Sequence, residues 1–319
     1  DLQELGVYSK NYVQFVTEEA EMLKVKRVCM VLMVLAVCGL FVGPAAQAAN
    51  YDKPIKIGWT AWSTAEANTK LIKAILEDKM GYDVELIMSD IGIQYQGLST
   101  GDIDLMLMAW LPTTHQNYWK KFAGKVVDLG PIYTRARLGW VVPDYVPQDK
   151  VNSISDLTDP DVADKLNNKI TGIDPGAGLM QASEKAMEEY GLSDAGYELL
   201  SSSGAGMTAA LSRAIKRDDW IVATGWSPHW KFAKWDLRYL EDPKGLLGGK
   251  ERIHCLARKG FYQDVPYEVF EFFVRYNIPI DDLEALMLEA RNTSYEEAAN
   301  AYIKNNPKRI KYWMTGEFE

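Results

Sequence analysis

Apolar runs alternate with amphipathic segments along the chain from about residue 50 onward. The short apolar runs predict β-strands, and the segments with apolar residues three and four positions apart predict surface helices. The predicted strands are 53–59, 83–89, 103–109, 137–142, 169–173, 197–202, 221–224 and 252–257. The predicted helices are 64–79, 91–100, 114–122, 154–166, 178–190, 207–217, 229–235, 266–276, 281–291 and 295–305.

This alternation predicts an α/β protein whose parallel sheets are covered by helices on both faces. The strands fall into two sets, and the chain crosses between the sets near 141–145 and again near 235–242. We therefore predict two Rossmann-like lobes joined by a hinge, with a ligand cleft between them. The first lobe would be discontinuous, formed by residues 50–142 and 240–319, and the second would span 143–239.

The N-terminal part of the chain follows a different pattern. A short basic stretch begins at Met22, an unbroken apolar run covers 28–42, and Ala46-Gln47-Ala48 follows. This order is typical of a secretory signal peptide, and it predicts cleavage after Ala48. The apolar run is short for a membrane-spanning helix, which needs about 20 apolar residues. We expect residues 22–48 to be the signal, residues 1–21 to be upstream sequence outside the fold, and the mature protein to be soluble and periplasmic.

Charge and cysteine content narrow the possible partners. The net charge of −9 argues against a nucleic-acid partner, which would favour a basic surface. Cys255 is the one cysteine after the predicted signal, so the sequence predicts neither an intrachain disulfide nor a cysteine metal site. No two histidines have metal-ligand spacing. We therefore expect no metal and no cofactor.

Three tryptophans are predicted to lie just beyond the ends of three different strands. They are Trp62, Trp110 and Trp226. Open α/β sheets bind ligands at the carboxyl ends of their strands. Aromatic faces gathered at such an edge suit a quaternary ammonium, which cannot donate hydrogen bonds but is attracted to the rings.

A second chemistry is predicted close by. The glycines around Gly178 open a helix directly after a strand, so the amides of Gly178 and Leu179 can bind an anion. His229 adds a side-chain N–H donor. A cation box beside an anion cradle fits a small zwitterion. The glycine-rich stretch 201–206 is the alternative cradle.

Four stretches carry a family resemblance: 109–115 (AWLPTTH), 172–179 (GIDPGAGL), 201–207 (SSSGAGM) and 224–230 (TGWSPHW). They resemble the glycine betaine-binding proteins of osmoprotectant ABC transporters, the OpuAC type, over essentially the whole mature chain. The resemblance implies a type II periplasmic-binding-protein fold, a monomer, and a permease with its ATPase as partners. It also implies roles for residues.

By motif, Trp62, Trp110 and Trp226 would cage a trimethylammonium group. The amides of Gly178 and Leu179, together with His229, would hold the carboxylate. Trp59 competes with Trp62 for its place, because it lies three residues away. Choline, carnitine, proline betaine, dimethylsulfoniopropionate and ectoine remain alternative ligands.

An enzyme is the alternative from another class, with His229 serving Ser227 or one of Ser201–Ser203 in a hydrolase. The sequence has no Gly-x-Ser-x-Gly elbow, which weighs against it. Of the other histidines, we expect His115 to face solvent or cap the helix beginning at Thr113 or Thr114, and His254 to be a packed core residue.

Overall fold

The computed structural model of the protein describes residues 51–318. The predicted signal peptide and the segment before it therefore lie outside the described residues. Within 51–318, no helix is both long enough and apolar enough to cross a membrane.

Strands and helices alternate through most of the described chain. The strands are β1 (Ile55–Trp59), β2 (Val84–Met88), β3 (Leu105–Leu111), β4 (Val126–Pro143), β5 (Lys169–Thr171), β6 (Glu198–Leu200), β7 (Val222–Ser227), β8 (Leu237–Tyr239) and β9 (Lys250–Arg258). The α-helices are α1 (Ser63–Asp78), α2 (Ile91–Thr100), α3 (Gln116–Phe122), α4 (Pro160–Lys165), α5 (Gly178–Glu189), α6 (Gly204–Ile215), α7 (Trp230–Lys234), α8 (Phe261–Asp264), α9 (Tyr267–Arg275), α10 (Ile280–Asn292), α11 (Tyr295–Asn305) and α12 (Pro307–Thr315). Two 3₁₀ helices are Ala123–Lys125 and Ile154–Thr158.

The strands of residues 51–318 form one mixed sheet, in the order β2-β1-β3-β9-β4-β7-β5-β6, with β8 also paired to β4. The predicted α/β class is confirmed, but the sequence analysis expected parallel strands, and the strands of the sheet are not all parallel. β9 runs antiparallel to both β3 and β4, and β4 runs antiparallel to β7. The first part of β4 pairs with β9 and its last part with β7, so this one strand joins the two sets.

Burial explains the strand sequences. Every residue of β3 is buried and every one is apolar, as expected of a central strand covered by helices on both faces. Helix α1 buries one face, including Leu71, Ile75 and Leu76, and leaves the other polar. Helix α1 packs against β1, β2 and β3, so its apolar face is buried against the sheet.

The described apolar core contains two clusters. One cluster is made entirely of residues between Trp140 and Leu247. The other contains residues from both ends of the described chain, from Ile55 to Trp313. This larger cluster also contains residues of the predicted second lobe, among them Ile173, Met207 and Trp226. The division into lobes at 143 and 240 therefore remains a prediction.

Several element boundaries differ from the sequence prediction for local reasons. The predicted helix 154–166 is a 3₁₀ helix followed by α4, because Pro160 begins a new helix at its first position. The first part of β4 was missed because Gly130 and Pro131 interrupt its apolar pattern. Helix α12 was missed although Pro307 marks its first turn.

Candidate functional site

The three predicted tryptophans line one small cavity. It encloses at most about 300 Å³ of space. Its wall is formed by Trp62, Trp110, Thr114, His115, Leu138, Ile173, Ala177, Gly178, Leu179 and Trp226. This wall is almost entirely apolar and aromatic, and its size limits a ligand to a small molecule.

The sequence predicted that Trp110 and Trp226 lie just beyond the ends of their strands, but both lie inside the strands. Each is the penultimate residue of a longer strand, β3 or β7, and each is only 4 % exposed. In the sheet, Trp226 pairs with Leu138 of β4, which also lines the cavity. The rings are therefore positioned by the backbone ladder, which makes this side of the cavity rigid.

Trp62 reaches the cavity from the start of helix α1. It is buried, whereas Trp59 is part of β1 and lies outside the cavity wall. The indole Nε1 of Trp62 donates a hydrogen bond of 2.8 Å to Asp174 Oδ2. Asp174 precedes helix α5, so this bond connects one ring of the cavity to the loop that carries Gly178 and Leu179.

Helix α5 begins at the cavity with free amides. Its N-cap residue Ala177 provides no side-chain cap. Among the described residues, the N–H groups of Gly178 and Leu179 have no hydrogen-bond acceptor. A helix start leaves such donors unpaired, and together with the helix dipole they favour an anion.

The alternative cradle at 201–206 differs from the start of α5 in two ways: its helix start is capped by a side chain, and it does not line the aromatic cavity. Helix α6 begins at Gly204, and the side chain of Ser203 accepts a hydrogen bond from the Gly206 amide at 3.0 Å. None of the residues 201–206 lines the aromatic cavity. The start of α5 therefore lies at the aromatic cavity, whereas the start of α6 does not.

A glycine at position 178 is required by close packing. A Cβ built there would lie 2.3 Å from the carbonyl oxygen of Thr114. Thr114 is held by the buried carboxylate of Glu251, which accepts hydrogen bonds from the amides of Thr113 and Thr114 and from the Thr114 hydroxyl. Tyr118 Oη also donates to the Gly176 carbonyl at 2.7 Å. These contacts bring the start of α5 against the end of β3.

His115 is a cavity residue that the sequence analysis missed. It was expected to face solvent or to cap the helix beginning at Thr113 or Thr114, but it is 1 % exposed. It is the N-cap residue of α3, although its side chain makes no capping hydrogen bond. Its Nδ1 accepts a hydrogen bond from the Trp110 amide at 3.2 Å, and its ring lies 6.1 Å from that of Trp62. Burial lowers the pKa of His115 to about 3, so the ring is neutral. His115 follows two polar residues at the end of β3, and nothing in this local sequence indicates that its side chain is buried.

His229 lies behind the cavity and not in its wall. Its ring meets Trp226 edge to face, with centroids 4.7 Å apart. Its Nδ1 accepts from the Lys231 amide, so the proton of the neutral ring lies on Nε2, which is 3.4 Å from Ser63 Oγ. Burial, and then the charges of Lys231 and Arg291, hold the pKa of His229 well below its usual value. His229 thus offers one N–H donor beside Trp226.

The hydrolase arrangement is not assembled. Ser227 Oγ pairs with Tyr239 Oη at 2.8 Å, not with His229. The Nδ1 of His229 accepts from a backbone amide, whereas a catalytic histidine would donate from this nitrogen to an acid. His254 is buried as predicted, and its Nδ1 lies 2.9 Å from Asp128.

A larger groove lies elsewhere, at the opposite ends of β1 and β3. It has basic and polar walls that include Lys53, Lys56 and Arg258. It contains no tryptophan and no uncapped helix start. Of these two sites in residues 51–318, the aromatic cavity is the smaller, and it combines π faces with free amides.

The fold and this cavity define a ligand-binding protein of the type II periplasmic-binding-protein class. The chain belongs to the OpuAC family, the substrate-binding domain of ABC-type glycine betaine transport systems, whose model matches residues 53–305. The predicted family and fold are therefore confirmed.

Two solved structures resemble most of the chain. Lactococcal OpuAC, crystallised in its closed-liganded conformation with glycine betaine, is 39 % identical with a TM-score of 0.76, over 83 % of this chain and 100 % of that one. The glycine betaine, L-proline-binding protein ProX of Borrelia burgdorferi is 35 % identical with a TM-score of 0.77, over 83 % and 98 %. The glycine betaine/carnitine transport binding protein GbuC of Listeria monocytogenes is 43 % identical over 159 residues. That match spans 49 % of this chain and only 52 % of GbuC.

Proposed function

We propose that this protein captures glycine betaine, or a closely related betaine, and delivers it to the permease of an ABC transporter. Trp62, Trp110 and Trp226 would surround the trimethylammonium group. The amides of Gly178 and Leu179 would bind the carboxylate, with His229 as a third donor. The protein would act outside the cytoplasm, as a binder and not as an enzyme.

The aromatic cavity supports the cation half of this proposal. A quaternary ammonium spreads its charge over methyl groups, so a ring face is a better partner than a hydrogen-bond acceptor. Each desolvated ring contributes about 2 kcal/mol. The three rings reach the cavity from β3, β7 and the start of α1, so they face the ligand from different elements.

The uncapped start of helix α5 is the observation on which the proposal depends most. It places two free amides in the wall of the same cavity as the three rings. A charge-assisted hydrogen bond contributes about 1.5–3 kcal/mol. A ligand that fills both halves must be positive at one end and negative a few atoms away, which describes a betaine.

His229 supports the carboxylate end through its protonation state. A neutral ring with its proton on Nε2 can donate to a carboxylate once the long 3.4 Å contact to Ser63 is exchanged for the ligand. Choline has no carboxylate, so it would gain nothing from this donor or from the two amides. This difference separates betaines from choline.

A calorimetric panel of ligands tests the proposal. We expect glycine betaine and proline betaine to bind more tightly than choline, with carnitine, dimethylsulfoniopropionate and ectoine measured beside them. His229→Ala should weaken the betaines and leave choline nearly unchanged. Tighter binding of choline than of any betaine would contradict the carboxylate cradle.

The cage needs a separate test with a matched control. Trp226→Ala should weaken glycine betaine about 30-fold, since it removes about 2 kcal/mol of cation–π energy. Trp220→Ala changes a half-buried tryptophan outside the cavity and should leave the dissociation constant unchanged. Equal losses from both variants would remove the cage from the proposal.

A further inference from the structure

Lys231 occupies an unusual position next to the cavity. It is fully buried in the short helix α7. Its Nζ has no hydrogen-bond partner and no ion pair among residues 51–318. A buried lysine normally has a paired carboxylate or several acceptors, because an isolated ammonium is costly to remove from water. Its place in the fold therefore needs an explanation.

The amine lies over a cage tryptophan. Nζ is 4.1 Å from the ring centroid of Trp226 and 5.3 Å from that of Phe232. Lys231 is not part of the cavity wall, whereas Trp226 is. The same indole ring therefore contacts both the cavity and the amine.

We propose that Lys231 determines how strongly Trp226 attracts a cationic ligand, and that betaine affinity falls when this amine carries a proton. An ammonium over the ring competes with the quaternary ammonium for the same π electrons and repels it. A neutral amine does neither. This inference rests on the proposed betaine function.

The size of the effect follows from Coulomb's law. A separation of roughly 8 Å and an effective dielectric constant of about 20 give a repulsion that weakens binding about 30-fold. Burial moves the pKa of Lys231 well below its ordinary value. By reciprocity, a bound cation makes protonation of Lys231 harder.

Other titratable groups surround the amine without pairing with it. Helix α10 packs against α7. The groups to consider are His229 and Lys234 on its own segment, Glu284 and Arg291 on α10, and Arg137 with Tyr239 on β4 and β8. The charge of Lys231 also lowers the pKa of His229, so replacing Lys231 with a neutral residue changes the titration of His229 as well. The comparison therefore includes Lys231→Arg, which keeps the charge beside His229.

The experiment measures glycine betaine affinity by calorimetry from pH 5 to pH 9 in the wild-type protein and in Lys231→Met. The ratio of the two dissociation constants should rise on acidification, to about 30-fold in favour of the variant. Lys231→Arg, which keeps its charge, should bind weakly at every pH. Lys234→Met is the matched control, because Lys234 is exposed on the same helix and lies over Trp230 and Trp235 instead. It should follow the wild-type protein.

A second measurement uses the wild-type protein alone. Titrations in buffers of different ionisation enthalpy should show that ligand binding releases protons at the acidic end of the range. Equal affinity of the wild-type protein and Lys231→Met at pH 5, or no proton release, would overturn the inference. If glycine betaine fails to bind the wild-type protein at any pH, the proposed function fails instead.

Discussion

The hydrogen bond from Trp62 to Asp174 predicts a measurable coupling between the two halves of the site. Trp62 lines the aromatic cavity, and Asp174 begins the loop that leads to Gly178 and Leu179. If this bond positions the ring, Asp174→Ala should weaken glycine betaine binding through Trp62. The bond joins an indole N–H to a partly buried carboxylate at 2.8 Å. Charge-assisted bonds contribute about 1.5–3 kcal/mol, and the partial exposure favours the lower end of this range. The expected loss is about tenfold.

A double-mutant cycle separates the bond from a simple charge effect. Trp62→Phe keeps an aromatic face and removes the N–H donor. We expect Asp174→Ala to cost about tenfold in the wild-type background and less than twofold in the Trp62→Phe background, giving a coupling energy of about 1.5 kcal/mol. Affinities would be measured by calorimetry in all four proteins. Asp194→Ala, at an exposed position, is the control.

The alternative is that Asp174 attracts the ligand cation through space. In that case Asp174→Ala would weaken binding by the same factor in both backgrounds. Additive losses would therefore refute the positioning role, even if each single variant binds poorly.

Two further predictions concern packing and pH. Gly178→Ala should weaken glycine betaine at least about fivefold, because its Cβ would meet the Thr114 carbonyl and overpacking costs about 1–3 kcal/mol. Gly124→Ala is the control, because a Cβ there meets nothing within 4 Å, and it should bind normally. Equal affinities of the two variants would contradict the required glycine at position 178. His115 has a folded pKa of about 3, below the unfolded value, so its stabilising contribution is present above pH 6.5 and is lost as the pH falls toward 3. The variant His115→Asn keeps an acceptor for the Trp110 amide but does not titrate in this range. Thermal melts between pH 6.5 and 4.5 should show that it loses stability less steeply than the wild-type protein, by about 1.4 kcal/mol per pH unit. Parallel pH profiles of the two proteins would contradict this prediction.

Much of the fold was readable from local patterns. The apolar run of β3 and the periodic spacing of α1 predicted those elements because burial on two faces or on one face leaves a direct mark in the sequence. The direction of β9 left no such mark. A strand buried between two neighbours has the same composition whether its neighbours run parallel or antiparallel to it, so the mixed sheet could not be predicted.

The candidate site could be predicted from the sequence to a similar extent. The tryptophans and the glycines at the start of α5 stood out because their chemistry is uncommon at strand ends. Lys231 and His115 did not, since charged and polar side chains are usually exposed and their burial depends on distant elements. The Trp62–Asp174 bond joins residues 112 positions apart, a distance that no local pattern reports.

The position of β9 also has a consequence for how the chain is made. This strand lies in the middle of the sheet, between β3 and β4, yet it comes late in the sequence. Until residues 250–258 are available for pairing, β3 and β4 each keep an unpaired edge, and open edges invite pairing with other chains. A chain truncated before β9 should therefore aggregate, and completion of the sheet must follow synthesis of nearly the whole polypeptide.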